Sequence, residues 1–325
     1  MKTTLLSISD RPDDLEFATE VAKAADLRLI SVPNSTEARK RCTKPDHDTV
    51  FFVDVSTPEL FTEFEKNFSE MIGEDKSKIN TNFVHLIGFE TIETIQSLAK
   101  SNIFGHYILR KYGEPKDAGS YYGRIVKGLA VQPGFGLAHL VSSQASIRII
   151  KLGHSDEKSK ILASLMEFLN NETTFNDRMA NIIVTAVDEL VMNAIYDAPV
   201  SPEGDQELKS TSRDTPIPLT GRRSVELQMG YDGEYFAFTA IDRFGSLNKR
   251  KLLSHLFNSR SEYQLDASIA GAGLGLATTF KTGGSLVFLS EPEVRSEATV
   301  FFKRAPSFKE FRNQFRFISV HVAAE

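Results

Sequence analysis

Cys42 is the only cysteine in a chain of 325 residues, so neither a disulfide framework nor a thiolate metal cluster can be assembled within it. A reducing compartment follows, and cytoplasmic placement is the expectation. Tryptophan is absent. No apolar run is long enough to span a bilayer, and Met1 to Ser9 reaches polar Asp10 too soon to form a signal-peptide core. No membrane association is expected. There is no basic excess either: the formal charge is −5, which argues against a nucleic-acid surface and leaves protein or small-molecule partners. What remains, 41% hydrophobic and 25% charged residues over this length, is ordinary globular composition with room for two domains and a core in each.

Residues 1–120 alternate short apolar runs with helix-period stretches. Strands are predicted at Thr4 to Ser9, Leu27 to Val32, Val50 to Val55, Phe83 to Phe89 and His106 to Arg110. Such a βα repeat builds a doubly wound parallel sheet whose chemistry collects at the carboxyl ends of the strands. Val53-Asp54-Val55-Ser56-Thr57-Pro58 and Ser9-Asp10-Arg11-Pro12 give this stretch a resemblance to the receiver domain of two-component response regulators, a flavodoxin-like fold. The resemblance implies Asp54 as phosphoacceptor, with Asp10 holding Mg²⁺ beside it. Ser9 replaces the second acidic residue of that metal pair, and Gly88 and Arg110-Lys111 replace the hydroxyl residue and the Lys-Pro that follow the fourth and fifth strands. Losing a carboxylate weakens a metal site, so a pseudo-receiver that docks partners or forms a homodimer is expected.

Ala118 to Leu129 reads as the last helix of this repeat, and Gln132-Pro133-Gly134 interrupts it, within a linker expected over 121–144. The space is too short and broken for the two-helix hairpin that would carry a phosphorylatable histidine, so His139 and His154 are poor candidates for that role.

From 145 to 304 the pattern changes. Ile147 to Leu152 alternates as a strand, a helix opens near Ser155, and a second follows the capping sequence Thr174-Phe175-Asn176-Asp177 with Met179, Ile183, Ala186, Val187 and Leu190 on one stripe. Pro199 to Arg223, rich in Pro, Ser, Thr and charge, reads as a mobile loop. Strands are expected at Val225 to Met229, Tyr235 to Ile241, Ser285 to Ser290 and Thr299 to Lys303, making an α/β sandwich with a mixed sheet. Residues 305–325 read as a tail.

Three islands in this second stretch point to a nucleotide site: Glu189-Leu190-Val191-Met192-Asn193, Asp242-Arg243-Phe244-Gly245 and Gly271-Ala272-Gly273-Leu274-Gly275-Leu276. An acid and an amide four residues apart share a helix face, a strand-end Asp can read a base, and a glycine run can cradle phosphates. These islands resemble the N box and two glycine boxes of the GHKL ATPases, which include gyrase, heat-shock chaperones, histidine kinases and mismatch-repair ATPases. Within that superfamily the sequence is most similar to the anti-sigma-factor serine kinases. The resemblance implies ATP and Mg²⁺ as cofactors, with Asn193 on the metal and Asp242 on the adenine amino group. It also implies Gly245, Gly271, Gly273 and Gly275 around the phosphates, Thr299 as a further adenine contact, Glu189 as catalytic general base, and Asn248 to Ala270 as a lid. Phe244 and Ser246 stand where many relatives have glycine, and Asp197 where kinases often have a basic group. The function implied is an ATP-binding regulatory signalling protein, either a serine/threonine protein kinase acting on a regulatory partner protein or a non-catalytic ATP-gated switch. The ATP-binding half of a split histidine kinase is the third reading.

Overall fold

The computed structural model describes residues 3–41, 49–72, 83–89, 105–131, 134–201, 204–208, 210–258 and 272–322. The chain is α/β and divides into two compact units: Met1–Gly134 with Phe315–His321, and Phe135–Gln314 with Val322–Glu325.

In the first unit, β1 (Thr4–Ile8), β2 (Arg28–Val32), β3 (Val50–Asp54), β4 (Val84–Gly88) and β5 (His106–Leu109) pair in parallel in the order β2-β1-β3-β4-β5. β3, β4 and β5 are buried along their whole length, as a parallel sheet covered on both faces requires. Helix α1 (Pro12–Ala25) starts on proline with Asp13 and Asp14 in its first turn, and it ends at Asp26 in a left-handed cap of φ 59°. Its stripe of Asp14, Phe17, Ala18, Val21, Ala22 and Ala25 is buried. Helices α2 (Ser35–Arg41), α3 (Pro58–Ile72) and α4 (Pro115–Val126) follow, and α4 runs into a π-helical turn, Lys127–Val131, that packs with it. Residues 121–131, expected in a linker, are therefore helical and lie within this unit.

In the second unit, β6 (Ser146–Leu152), β7 (Val225–Tyr231), β8 (Tyr235–Asp242), β9 (Ser285–Glu291) and β10 (Arg295–Lys303) are ordered β9-β10-β8-β7-β6. Each of these neighbouring pairs is antiparallel. Parallel and antiparallel pairing both occur in the chain, but the mixed sheet expected for this unit is antiparallel among its described strands. Helix α5 (Glu157–Glu172) packs on α6 (Asp177–Met192), which is capped by Asn176 accepting from Met179 N at 3.1 Å. α6 continues as a π-helical turn, Asn193–Asp197, and lies against β8, β10 and α8 (Ala272–Lys281), while α7 (Lys249–Asn258) packs on α8.

The described residues of 199–223 are mostly irregular backbone with fixed contacts: Glu207 N donates to Pro199 O at 3.0 Å, His154 and Pro218 form a β-bridge, and Leu208, Ile217 and Leu219 are buried. The stretch after 304 differs from expectation. Residues beyond 304 form a capped helix, α9 (Phe308–Arg312), and a strand, β11 (Phe317–Val322), which pairs antiparallel with β5 of the first unit. Phe317, Ile318 and Val320 are fully buried, and Phe317 meets Tyr122 edge-on at 4.7 Å.

Candidate functional site

Asp242 ends β8, and the alternation of that strand puts it on the same face as Phe236, Phe238 and Ala240. The face is covered by α6, so a carboxylate is carried into an apolar layer. Only 7% of Asp242 is exposed, and burial pushes its carboxyl up to about 6 against the opposing hydrogen bonds of Phe244, Gly245 and Ser296. Phe244 N donates to Oδ1 at 2.8 Å. Ser296, opposite Asp242 in the β10–β8 register, reaches it from the neighbouring strand. In front of the pair opens a cleft of about 170 Å³, walled by Leu190, Ala194, Ala240, Leu276, Phe288 and Ala298 and edged by Asn193, Asp197, Ser246 and Lys251. A largely apolar cleft with a buried carboxylate acceptor suits an aromatic heterocycle bearing an amino group.

The structure brings Asn193 and Asp242 to this one cleft. Gly245 turns the chain behind it with φ +62°, and a Cβ there would overlap the carbonyl oxygen of Glu291 and come within 2.6 Å of Glu293 N. It serves close backbone packing against the β9–β10 turn. Gly273 and Gly275 lie in the first turns of α8, whereas Gly271 lies outside the described residues. Of the expected lid, Lys249–Asn258 is helix α7 and residues 259–270 lie outside the described residues.

Thr299 does not join the cleft. It has the opposite parity on β10 from Ser296 and Ala298, so its hydroxyl points through the other face of the sheet and pairs with Thr239 at 2.8 Å. The hydroxyl beside Asp242 belongs to Ser296.

Glu189 is not part of the cleft wall; it lies one turn before Asn193 and packs against α8. Burial, with Asp197 and Asp188 adding repulsion against the opposing Arg213, pushes its carboxyl up to about 7. Its Oε1 is buried without a hydrogen-bond partner among the described residues. A group titrating near neutrality, beside the cleft, has the properties of a general base.

Asp54 is at the end of β3 as the motif requires, and Asp10, just after β1, is exposed. Asp14, fully buried in the first turn of α1, takes the inner position. Between the two carboxylates lies the Arg110 guanidinium, donating to Asp14 through Nε at 2.9 Å and Nη2 at 2.6 Å, with Nη2 also 2.8 Å from Asp54 Oδ1. Ser9 Oγ and Tyr112 OH complete Asp14 at 2.7 Å each. Burial acts to raise the Asp54 carboxyl, but hydrogen bonds from Ser56 and Arg110 and the charge of Arg110 hold it below the usual value. Arg11 pairs with its other oxygen at 3.2 Å. The Arg110 guanidinium is thus already committed to both carboxylates.

Among the described residues no three His, Cys, Asp or Glu side chains gather to hold a metal. Among them one helical stretch, Asp177–Asp197, has the length and hydropathy of a membrane span, and it is the mostly buried core helix of the second unit. Compared with known proteins, the chain matches no family model and no curated sequence.

Proposed function

We propose that the second unit is a GHKL-type nucleotide module that binds ATP with Mg²⁺ and serves a cytoplasmic regulatory protein. The observation that carries this reading is Asp242: a buried carboxylate at the floor of an apolar cleft, next to the helix that presents Asn193. The adenine amino group donates to Asp242, Ser296 steadies the carboxylate, and the Asn193 amide oxygen is a hard ligand suited to Mg²⁺. Glu189 takes the proton of the attacking hydroxyl of a partner protein. The strand order β2-β1-β3-β4-β5 is that of flavodoxin-like sheets, which supports a receiver-like first unit. The Arg110 bridge supports a pseudo-receiver, a docking or dimerising module that does not accept phosphate.

Calorimetry with ATP and Mg²⁺ tests the binding step. Asp242→Asn presents an NH₂ to a donor and costs about 1–3 kcal/mol of affinity; equal affinity of wild type and variant, or none in either, removes the nucleotide reading. One observation favours a second reading, the non-catalytic switch: Asp197, an acid, edges the cleft, where phosphoryl transfer is served by a cation. ATP-dependent partner association without γ-phosphate transfer or release would decide for the switch.

A further inference from the structure

We propose that Gly275 is the positioning residue for Glu189: the side chain missing at this helical position is the seat of the carboxyl group. The proposal rests on reading Glu189 as the base. A Cβ built on Gly275 would lie 2.5 Å from Glu189 Cδ, 2.6 Å from Oε2 and 2.8 Å from Cγ, so the end of the Glu189 side chain occupies the volume an alanine methyl would take. No real Cβ contact is that short. The resemblance assigned the Gly275 backbone to the phosphates; its vacant Cβ position is filled by the Glu189 side chain.

The consequence is a carboxyl held between helices. Glu189 projects from α6, and the facing element, α8, presents a notch instead of a side chain. The charged groups that act on it are Asp188 on its own helix, Asp197 in the π-helical turn after it and Arg213 from the ordered 199–223 segment. Oε1 is buried and without a hydrogen-bond partner among the described residues, so no hydrogen bond to them fixes that oxygen. Shape does so, and Gly275 is the shape.

Gly275 sits within α8, where alanine is the better helix former, and the atoms it would displace are the far end of a flexible side chain. Gly275→Ala is therefore expected to fold, with a thermal midpoint no lower than wild type, while turning the carboxyl out of its seat. Three readouts separate seat from phosphate cradle. ATP affinity by calorimetry is expected to stay within about twofold, whereas turnover falls by about 10²-fold, the usual effect of a misplacement near 1 Å. In a Glu189→Ala background Gly275→Ala is expected to lose nothing further. The midpoint of the Glu189 carboxyl, followed by carbon-13 NMR without nucleotide and assigned with Glu189→Gln, is expected to move down from about 7 toward the ordinary carboxylate range.

An unmoved carboxyl midpoint overturns the proposal, as does a tenfold loss of ATP affinity or an equal loss of turnover in the Glu189→Ala background. Failure to fold overturns it too, because a methyl that only displaced the carboxyl would leave the helix intact. The NMR titration uses neither nucleotide nor turnover, so it stands or falls separately from the ATP reading, which Asp242→Asn tests.

Discussion

Arg110 bridges two buried carboxylates in the first unit, Asp14 and Asp54, and Arg110→Met removes its charge while keeping much of its apolar volume. Asp14 is fully buried and takes two charge-assisted bonds from the guanidinium, at 2.9 and 2.6 Å. Without them it retains the hydroxyls of Ser9 and Tyr112, which solvate a carboxylate but do not neutralise it. Leaving a buried charge uncompensated costs about 3–5 kcal/mol. Asp54 suffers less, since Arg11 and the Ser56 backbone N–H remain on it. Arg11 itself is 45% exposed, and Arg11→Ala is expected to cost about 1 kcal/mol or less. Hydrogen exchange in the full chain, read on peptides from β1 and β3, reports the opening free energy of this unit apart from the other. Asp14→Asn placed in the Arg110→Met background removes the stranded charge and is expected to recover part of the loss. An Arg110→Met cost no greater than that of Arg11→Ala, or no recovery with Asp14→Asn, would refute the account of Arg110 as an internal counter-ion.

Asp54 is expected to take up no stable phosphoryl group from a small-molecule phosphodonor with Mg²⁺, because its carboxylate is already paired with Arg110 and Arg11; an added phosphoryl in the intact mass that vanishes in Asp54→Asn would contradict this. Ser296→Ala is expected to weaken ATP binding measurably while Thr299→Val leaves it unchanged, since only Ser296 lies on the face of Asp242; calorimetry giving the reverse order would return Thr299 to the site. His85 is buried against Phe52, stacked at 4.1 Å on His106 and hydrogen-bonded to Tyr122 OH, and burial together with His106 holds its imidazole well below the usual range. A depressed histidine favours the unfolded state as it protonates, so stability is full above the unfolded value near 6.5 and is lost progressively as pH falls below it. Exchange on β4 and β5 peptides checks this, and the slope is expected to shrink in His85→Gln.

The strands were legible because each is announced twice, by an apolar run and by the helix-period segment or turn that bounds it. β3 reads Val50-Phe51-Phe52-Val53-Asp54 without a polar interruption, which is how a strand buried on both faces must look. β11 is the exception: Phe317-Ile318-Ser319-Val320 obeys the same rule, yet 305–325 reads as a tail and nothing local says which sheet the run will join. Its partner, β5, lies about two hundred residues earlier in the chain, and pairing at that separation is settled by the exposed edge of β5 and by the aromatic cluster around Tyr122. In 199–223 proline and charge mark irregular backbone, and they do not announce the bridge and three buried side chains that its described residues make.

In the sites, motifs fix chain order, while chemistry depends on the phase of a helix or strand. Asp10 follows β1 directly and is exposed, whereas α1 begins at Pro12, and its buried stripe runs through residues 14, 17, 18, 21, 22 and 25. Asp14 is on that stripe. An acid in phase with an apolar face has to be buried and has to find a cation, so the signal for the Arg110 bridge was present as periodicity and was missed by following the motif. Thr299 is a harder case. Both faces of β10 are covered, with Phe301 at 2% exposure and Val300 and Phe302 fully buried, so alternation does not distinguish the side that faces Asp242. Only the register, Ser296 against Asp242, decides it. The contact between Glu189 and Gly275 lies beyond either kind of pattern, since a notch on one helix acquires meaning only from the side chain that another helix places in it.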